Sequence, residues 1–171
     1  MNDKMRVIIN AVFFQLTWFS FVLNIYEGYL ALVSLFFMFV YSVLVEGYQK
    51  QHIIMSFCVV VLGLTVDTLL TFFGVFYFSG NTYFFIPFWL VGIWGAFSLT
   101  LNSSLKWLLE KPMLFMVSLT LFGPMSYYFG SKLSNLALSD DAVIYLILAW
   151  FFISVLIVKL YDLLVNNKLN G

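Results

Sequence analysis

The sequence predicts an all-α integral membrane protein, with six transmembrane helices in one bundle and both termini on the cytoplasmic side. Three observations carry that prediction. Hydrophobic residues fill 63% of the 171 positions and charged residues only 9%, where a soluble domain would be about a quarter charged. Six apolar segments approach or reach the roughly 20 residues that a bilayer crossing needs. The basic residues, finally, are divided very unevenly between the loops. A mean hydropathy of +1.01 and 21 phenylalanines leave no stretch for a soluble module, so residues 1–171 form a single transmembrane domain.

The spans fall at 5–23, 29–45, 53–74, 86–106, 112–130 and 141–161. Lys4 and Arg6 precede the first in the manner of a secretory signal. That stretch ends in Asn24-Ile25-Tyr26-Glu27, without a small-residue cleavage pattern, and is expected to stay as an uncleaved helix. Asn10, Thr17 and Asn24 recur at seven-residue spacing and give it one polar stripe. His52, where the loop after the second span enters the third, reads as a headgroup-facing residue. Cys58 reads as a small buried hydrophobe, and a lone cysteine provides neither a disulfide framework nor a thiolate metal site. Pro87 and Pro112 stand in the first turns of the fourth and fifth spans, where a missing N–H costs nothing. Gly123-Pro124 inside the fifth frees a carbonyl and bends the helix. Ser139-Asp140-Asp141 offers a capping hydroxyl and two carboxylates to the start of the sixth.

Short connections make consecutive helices antiparallel neighbours. With both termini inside, Lys4, Arg6, Lys50, Lys106, Lys111, Lys159 and Lys168 are cytoplasmic and only Lys132 is outside, a positive-inside bias. Tyr26, Tyr29, Tyr77, Tyr83 and Trp89 then mark the outer interface, and Tyr48, Trp107 and Tyr161 the inner one. No basic block exists, which argues against nucleic-acid binding.

Asp67 is the one carboxylate deep inside an apolar run. An ionised Asp near a bilayer centre costs about 2.5–3.5 kcal/mol, so it has a partner or a purpose. Helical spacing puts Gly63, Thr71 and Gly74 on its face. The glycines would admit a neighbouring helix and Thr71 would bond to it. Counting about 1.5 Å per residue, Gln15, Trp18, Trp94 and Tyr127 reach the depth of Asp67 and make a candidate ligand pocket with it. Asn10, Thr100, Asn102 and Ser104 form a second polar cluster toward the cytoplasm. Its members read first as interhelical hydrogen-bond glue, worth about 1 kcal/mol per bond.

The chain resembles a family of small multi-pass bacterial inner-membrane proteins known only as a domain of unknown function. The resemblance runs through Asn10, Phe14-Gln15, Trp18-Phe19 and Asp67. It continues through Pro87-Phe88-Trp89-Leu90, Trp94, Phe97, Thr100-Leu101-Asn102, Ser104 and Trp107-Leu108, then Gly123-Pro124, Tyr127 and Gly130. It implies a multi-pass protein of the bacterial inner membrane and carries no activity.

Three functions compete. The first is binding or transport of a small or lipid-like ligand in a pocket around Asp67. The second is an enzyme or accessory in membrane lipid modification, for which the sequence holds no histidine cluster, no paired carboxylates in a span and no Ser-His-Asp set. The third is a substrate-free subunit whose Asp67 pairs with a basic residue of another membrane protein. No catalytic residue, metal ligand or cofactor is assigned, and membrane lipids are the expected partners.

Overall fold

The computed structural model describes residues 2–23, 29–79 and 86–166. Among these residues seven helices follow in order: α1 (Asp3–Val22), α2 (Tyr29–Leu44), α3 (Lys50–Phe72), α4 (Phe88–Thr100), α5 (Lys106–Leu109), α6 (Pro112–Leu133) and α7 (Ala142–Tyr161), the last running into a π-turn at Asp162–Asn166. Two short strands, β1 (Phe76–Phe78) and β2 (Leu136–Leu138), pair antiparallel with Phe76 opposite Leu138. Among the described residues this ribbon is the one departure from an all-α chain. It closes the bundle at the end opposite Lys4, because α3 and α6 both stop short there and their extensions pair.

Four helical stretches are long and apolar enough to cross a membrane: Asp3–Val22, Lys50–Phe72, Pro112–Leu133 and Ala142–Val165. The other two apolar helices, α2 and α4, have 16 and 13 residues. Helices suit lipid because they satisfy their own backbone. The side chains are sorted accordingly. Phe36, Phe57, Phe122 and Phe152 point outward, whereas Asn10, Thr17, Ser42, Asp67, Ser98 and Ser154 are buried. Such inward polar groups act across helices, as where Thr17 of α1 and Ser34 of α2 share a 2.6 Å hydrogen bond.

Helix α4 is the hub. It packs against α1, α2 and α3, while α7 joins α6 to α3. The fourth span was expected to run through residue 106, but the helix ends at Thr100 and residues 101–105 form turns. The reason is local. Ser98 and Thr100 turn their hydroxyls back on the carbonyls of Gly95 and Phe97, and the N–H groups of Ser103 and Leu105 both bond to Thr100 O. Asn and Ser residues in this run compete for the backbone in just this way.

Two further expectations are corrected. Gly74 does not pack a helix against the face of Asp67. It lies beyond the end of α3 at φ +70°, with its N–H on Thr71 O and the Val75 N–H on Leu70 O, which is a Schellman C-cap. Asp141 holds the N-cap position of α7 without a side-chain bond, and it is the carbonyl of Ser139, not its hydroxyl, that takes the Ala142 N–H. Pro87 and Pro112 do sit at helix starts, as N-cap and first-turn residues. Asn24, Tyr26, Tyr83 and Lys168 lie outside the described residues.

Candidate functional site

Asp67 lies on the inward face of α3, 1% exposed. Gly63, one turn earlier, leaves room for the Trp94 indole to lie flat on α3; a Cβ there would overlap the ring. From that seat Trp94 Nε1 donates to Asp67 Oδ2 at 2.6 Å. Tyr127 of α6 donates its hydroxyl to the same carboxyl, 2.7 Å from Oδ1 and 2.9 Å from Oδ2. An indole N–H can only donate, so the acid is the acceptor that both neighbours require. Three helices are thus clamped at one point. Thr71, expected to reach another helix, instead bonds to the carbonyl of Asp67 at 2.8 Å.

An aromatic stack extends the clamp. Trp94 lies parallel to Trp150 of α7 with centroids 5.4 Å apart, and Tyr127 stacks on Phe76 of β1 at 5.1 Å. Trp150 in turn rests on Gly123 of α6, where an added Cβ would overlap its indole.

Beside this stack lies a cavity of about 430 Å³. Helix α1 lines it with Phe14, Gln15, Trp18 and Phe19, and α4 with Trp89, Ile93, Trp94 and Phe97. Helix α6 and Trp150 close the far side. The rim residues Phe19, Phe122, Met125 and Phe129 are exposed on the lipid-facing surface, so the cavity opens sideways between α1 and α6. Among the described residues no charged side chain lines it. Asp67 does not reach it either, because Trp94 and Tyr127 stand between. Of its polar groups, the Tyr127 hydroxyl and the Trp94 N–H are engaged by Asp67, and Ser126 donates to Gly123 O. Gln15 and the indoles of Trp18 and Trp89 make no hydrogen bond within the described chain.

The five residues grouped with Asp67 by depth are therefore divided. Asp67, Trp94 and Tyr127 touch. Trp18 and Gln15 line the cavity apart from the acid, with Gln15 exposed at its mouth. Helical rotation explains the split: Thr17, which packs on α2, takes the inward position of α1 at that level. Depth alone missed Phe97, Trp89 and Trp150. An indole in mid-span, away from the interfaces where tryptophan usually sits, was the available sign for Trp150.

The second cluster also assembles, around residues that depth did not single out. Ser104 donates to Asn10 Oδ1 at 2.7 Å, and Asn10 Nδ2 reaches Leu99 O at 3.4 Å and Glu46 Oε2 at 3.5 Å. Ser103 donates to Glu46 Oε1, and Tyr48 donates to Leu99 O at 2.5 Å. The Thr100 hydroxyl bonds only within its own helix, and neither polar atom of the Asn102 side chain has a partner among the described residues. Glu46 comes inward because Gly47, at φ +71°, reverses the chain after α2. A Glu-Gly pair directly after an apolar span was the sign in the sequence. Burial raises the Glu46 carboxyl above the usual carboxylate range, against the hydrogen bonds from Ser103 and Ser42, the charge of Arg6 and the hydrogen bond from Asn10. The Tyr48 hydroxyl is likewise pushed up, first by burial and then by the charge of Glu46.

Fold and cavity define a membrane-spanning helical protein with an uncharged aromatic chamber beside a buried acid clamp. The chain belongs to a family described as proteins of unknown function, DUF2878, whose model matches residues 7–157. No curated protein and no solved structure matches it significantly.

Proposed function

We propose that this protein binds an uncharged, elongated, lipid-like ligand that enters its cavity sideways from the bilayer. One observation carries the reading: a chamber of about 430 Å³ walled by aromatic and aliphatic side chains, without a charged lining residue among those described. Its size falls within the range of small-molecule sites, which are mostly apolar with few polar groups. Burying a phosphate or carboxylate there would cost several kcal/mol with nothing to offset it. A hydroxyl, ester or ketone would instead meet the free amide of Gln15 and the indole N–H groups of Trp18 and Trp89. The aromatic walls favour a flat or unsaturated chain. Such binding is one half of transport; the chamber opens to lipid, and the ligand's exchange with the bilayer is what the geometry supports.

The membrane arrangement that supports this reading has six crossings and both termini on the cytoplasmic face of a bacterial inner membrane. Lys4, Arg6, Lys50, Lys106, Lys111 and Lys159 belong to the end that carries the N-terminus of α1, and Lys132 to the opposite end. A subunit role in which Asp67 pairs with another protein's helix is less well supported, because both oxygens of Asp67 are engaged inside the chain.

Gly130 provides the test. It lines the cavity, and a Cβ built there meets no atom within 4 Å, so Gly130→Phe fills the chamber without a backbone clash. Wild-type protein purified in mild detergent should carry an uncharged lipid enriched over the bulk extract by mass spectrometry, and Gly130→Phe should lose it. Identical lipid profiles for the two proteins would refute the proposal.

A further inference from the structure

Buried side-chain polar atoms that lack a hydrogen-bond partner among the described residues include Arg6 Nε, Tyr41 Oη and both polar atoms of Asn102. All belong to one neighbourhood. The charge of Arg6 acts on Glu46 and Tyr41, the Ser42 hydroxyl bonds to Glu46 and Tyr48, and the backbone of Asn102 bonds to the Tyr48 hydroxyl. An unpaired buried polar group costs about 1–3 kcal/mol, so a cluster of them at one place calls for an occupant. The chemistry of the set identifies it. Arg6 Nε and Asn102 Nδ2 can only donate, Asn102 Oδ1 can only accept, and the Tyr41 hydroxyl does either. A bare cation would satisfy the oxygens and oppose the donors; an anion would meet Glu46. Water serves both kinds, and such a polar recess gives it the two to four partners a buried water needs.

We propose that Glu46 is a proton-binding site, reached from the aqueous side through water held by Asn102, Tyr41 and Arg6. The carboxylate takes one proton from hydronium relayed through that water and becomes a neutral acid; an O–H bond forms on Glu46 as one breaks on the hydronium, which leaves as water. The charged and titratable groups that act on it or on its neighbours are Arg6 of α1 (itself 4.0 Å from Asp3), Tyr41 of α2, Tyr48 of the loop and His52 of α3 against the Tyr48 ring, with Lys106 of α5, paired with Glu110 at 4.0 Å, acting on His52. Burial outweighs the attraction of Arg6 and favours the protonated form. Ionised, Glu46 accepts from Ser103 after α4 and from Asn10 on α1. Protonation turns one acceptor oxygen into a donor and slackens that tie between α1 and α4. The inference does not depend on what occupies the aromatic cavity.

Infrared spectroscopy of the full chain in lipid vesicles, titrated with pH, tests it. The wild type should show a protonated-carboxyl band whose midpoint lies above the ordinary glutamate value of about 4.3. Glu46→Gln should lose that band, and Asp67→Asn should keep it. Superimposable titrations of wild type and Glu46→Gln, or loss of the band in Asp67→Asn alone, would overturn the proposal. If Glu46→Gln does not insert, Asn102→Leu decides: replacing the amide with hydrocarbon should drive the midpoint further up, and an unmoved midpoint would overturn the proposal equally.

Discussion

Among the described residues two carboxyl groups turn inward, Asp67 and Glu46, and their surroundings are opposite. Asp67 is 1% exposed, grips an indole and a phenol, and has no unpaired polar atom beside it among the described residues. Glu46 is half-buried near the helix ends, with donors on both oxygens and a ring of unpaired polar atoms around it. The first arrangement is closed: every group is matched, so the acid ties α3, α4 and α6 together. The second is open, and exchange with water is what it is built for. Depth in the membrane marks an acid as important. Whether its neighbours are matched says what it does.

Removing the closed acid should have the largest effect. Asp67→Leu strands the Trp94 N–H and the Tyr127 hydroxyl, at about 1–3 kcal/mol each, and thermal unfolding in detergent should shift down clearly. Asp67→Asn should cost less, since its amide oxygen still accepts. A wild-type unfolding temperature for Asp67→Leu would break the contrast at its root.

The seats of the aromatic stack come next. Gly63→Ala and Gly123→Ala each push a Cβ into an indole and should cost about 1–3 kcal/mol, whereas Gly130→Phe should stay near wild type in stability while losing ligand. Equal stability of all three would mean that the indoles move aside freely.

The open acid should declare itself through pH. Its folded-state affinity for protons is raised, so the stability it contributes is complete below the ordinary value of about 4.3 and is lost as pH rises through the raised value. Glu46→Gln should flatten that dependence in pH-resolved unfolding, and Asp67→Asn should leave it in place. The smallest change belongs to Asn102→Ala, which breaks no bond within the described chain and should fall within about 0.5 kcal/mol of wild type. Tyr48→Phe, which loses a 2.5 Å bond to Leu99 O, should cost about 0.5–1.5 kcal/mol and so stand between the two.

Much of this was legible in the residues. Apolar run length located every long helix, and a rise of about 1.5 Å per residue was enough to put Trp94 and Tyr127 level with Asp67. Depth carries no rotation, which is why Gln15 and Trp18 face the cavity and not the acid. Nor does it register competition for the backbone, which stops α4 at Thr100. Glu46 escaped notice because it stands just past an apolar run, where a carboxylate reads as solvated; the inward turn depends on Gly47. The ribbon of β1 and β2 rests on two three-residue strands far apart in the chain, too short for any alternation to show.

Tryptophan fluorescence tests the cavity most directly, since Trp18, Trp89, Trp94 and Trp150 line it and Trp107 lies elsewhere. A brominated, uncharged long-chain alcohol, added in small amounts to vesicles containing the protein, should quench that emission saturably in the wild type and much more weakly in Gly130→Phe. Quenching that rises in simple proportion to the alcohol and is the same in both proteins would contradict the account.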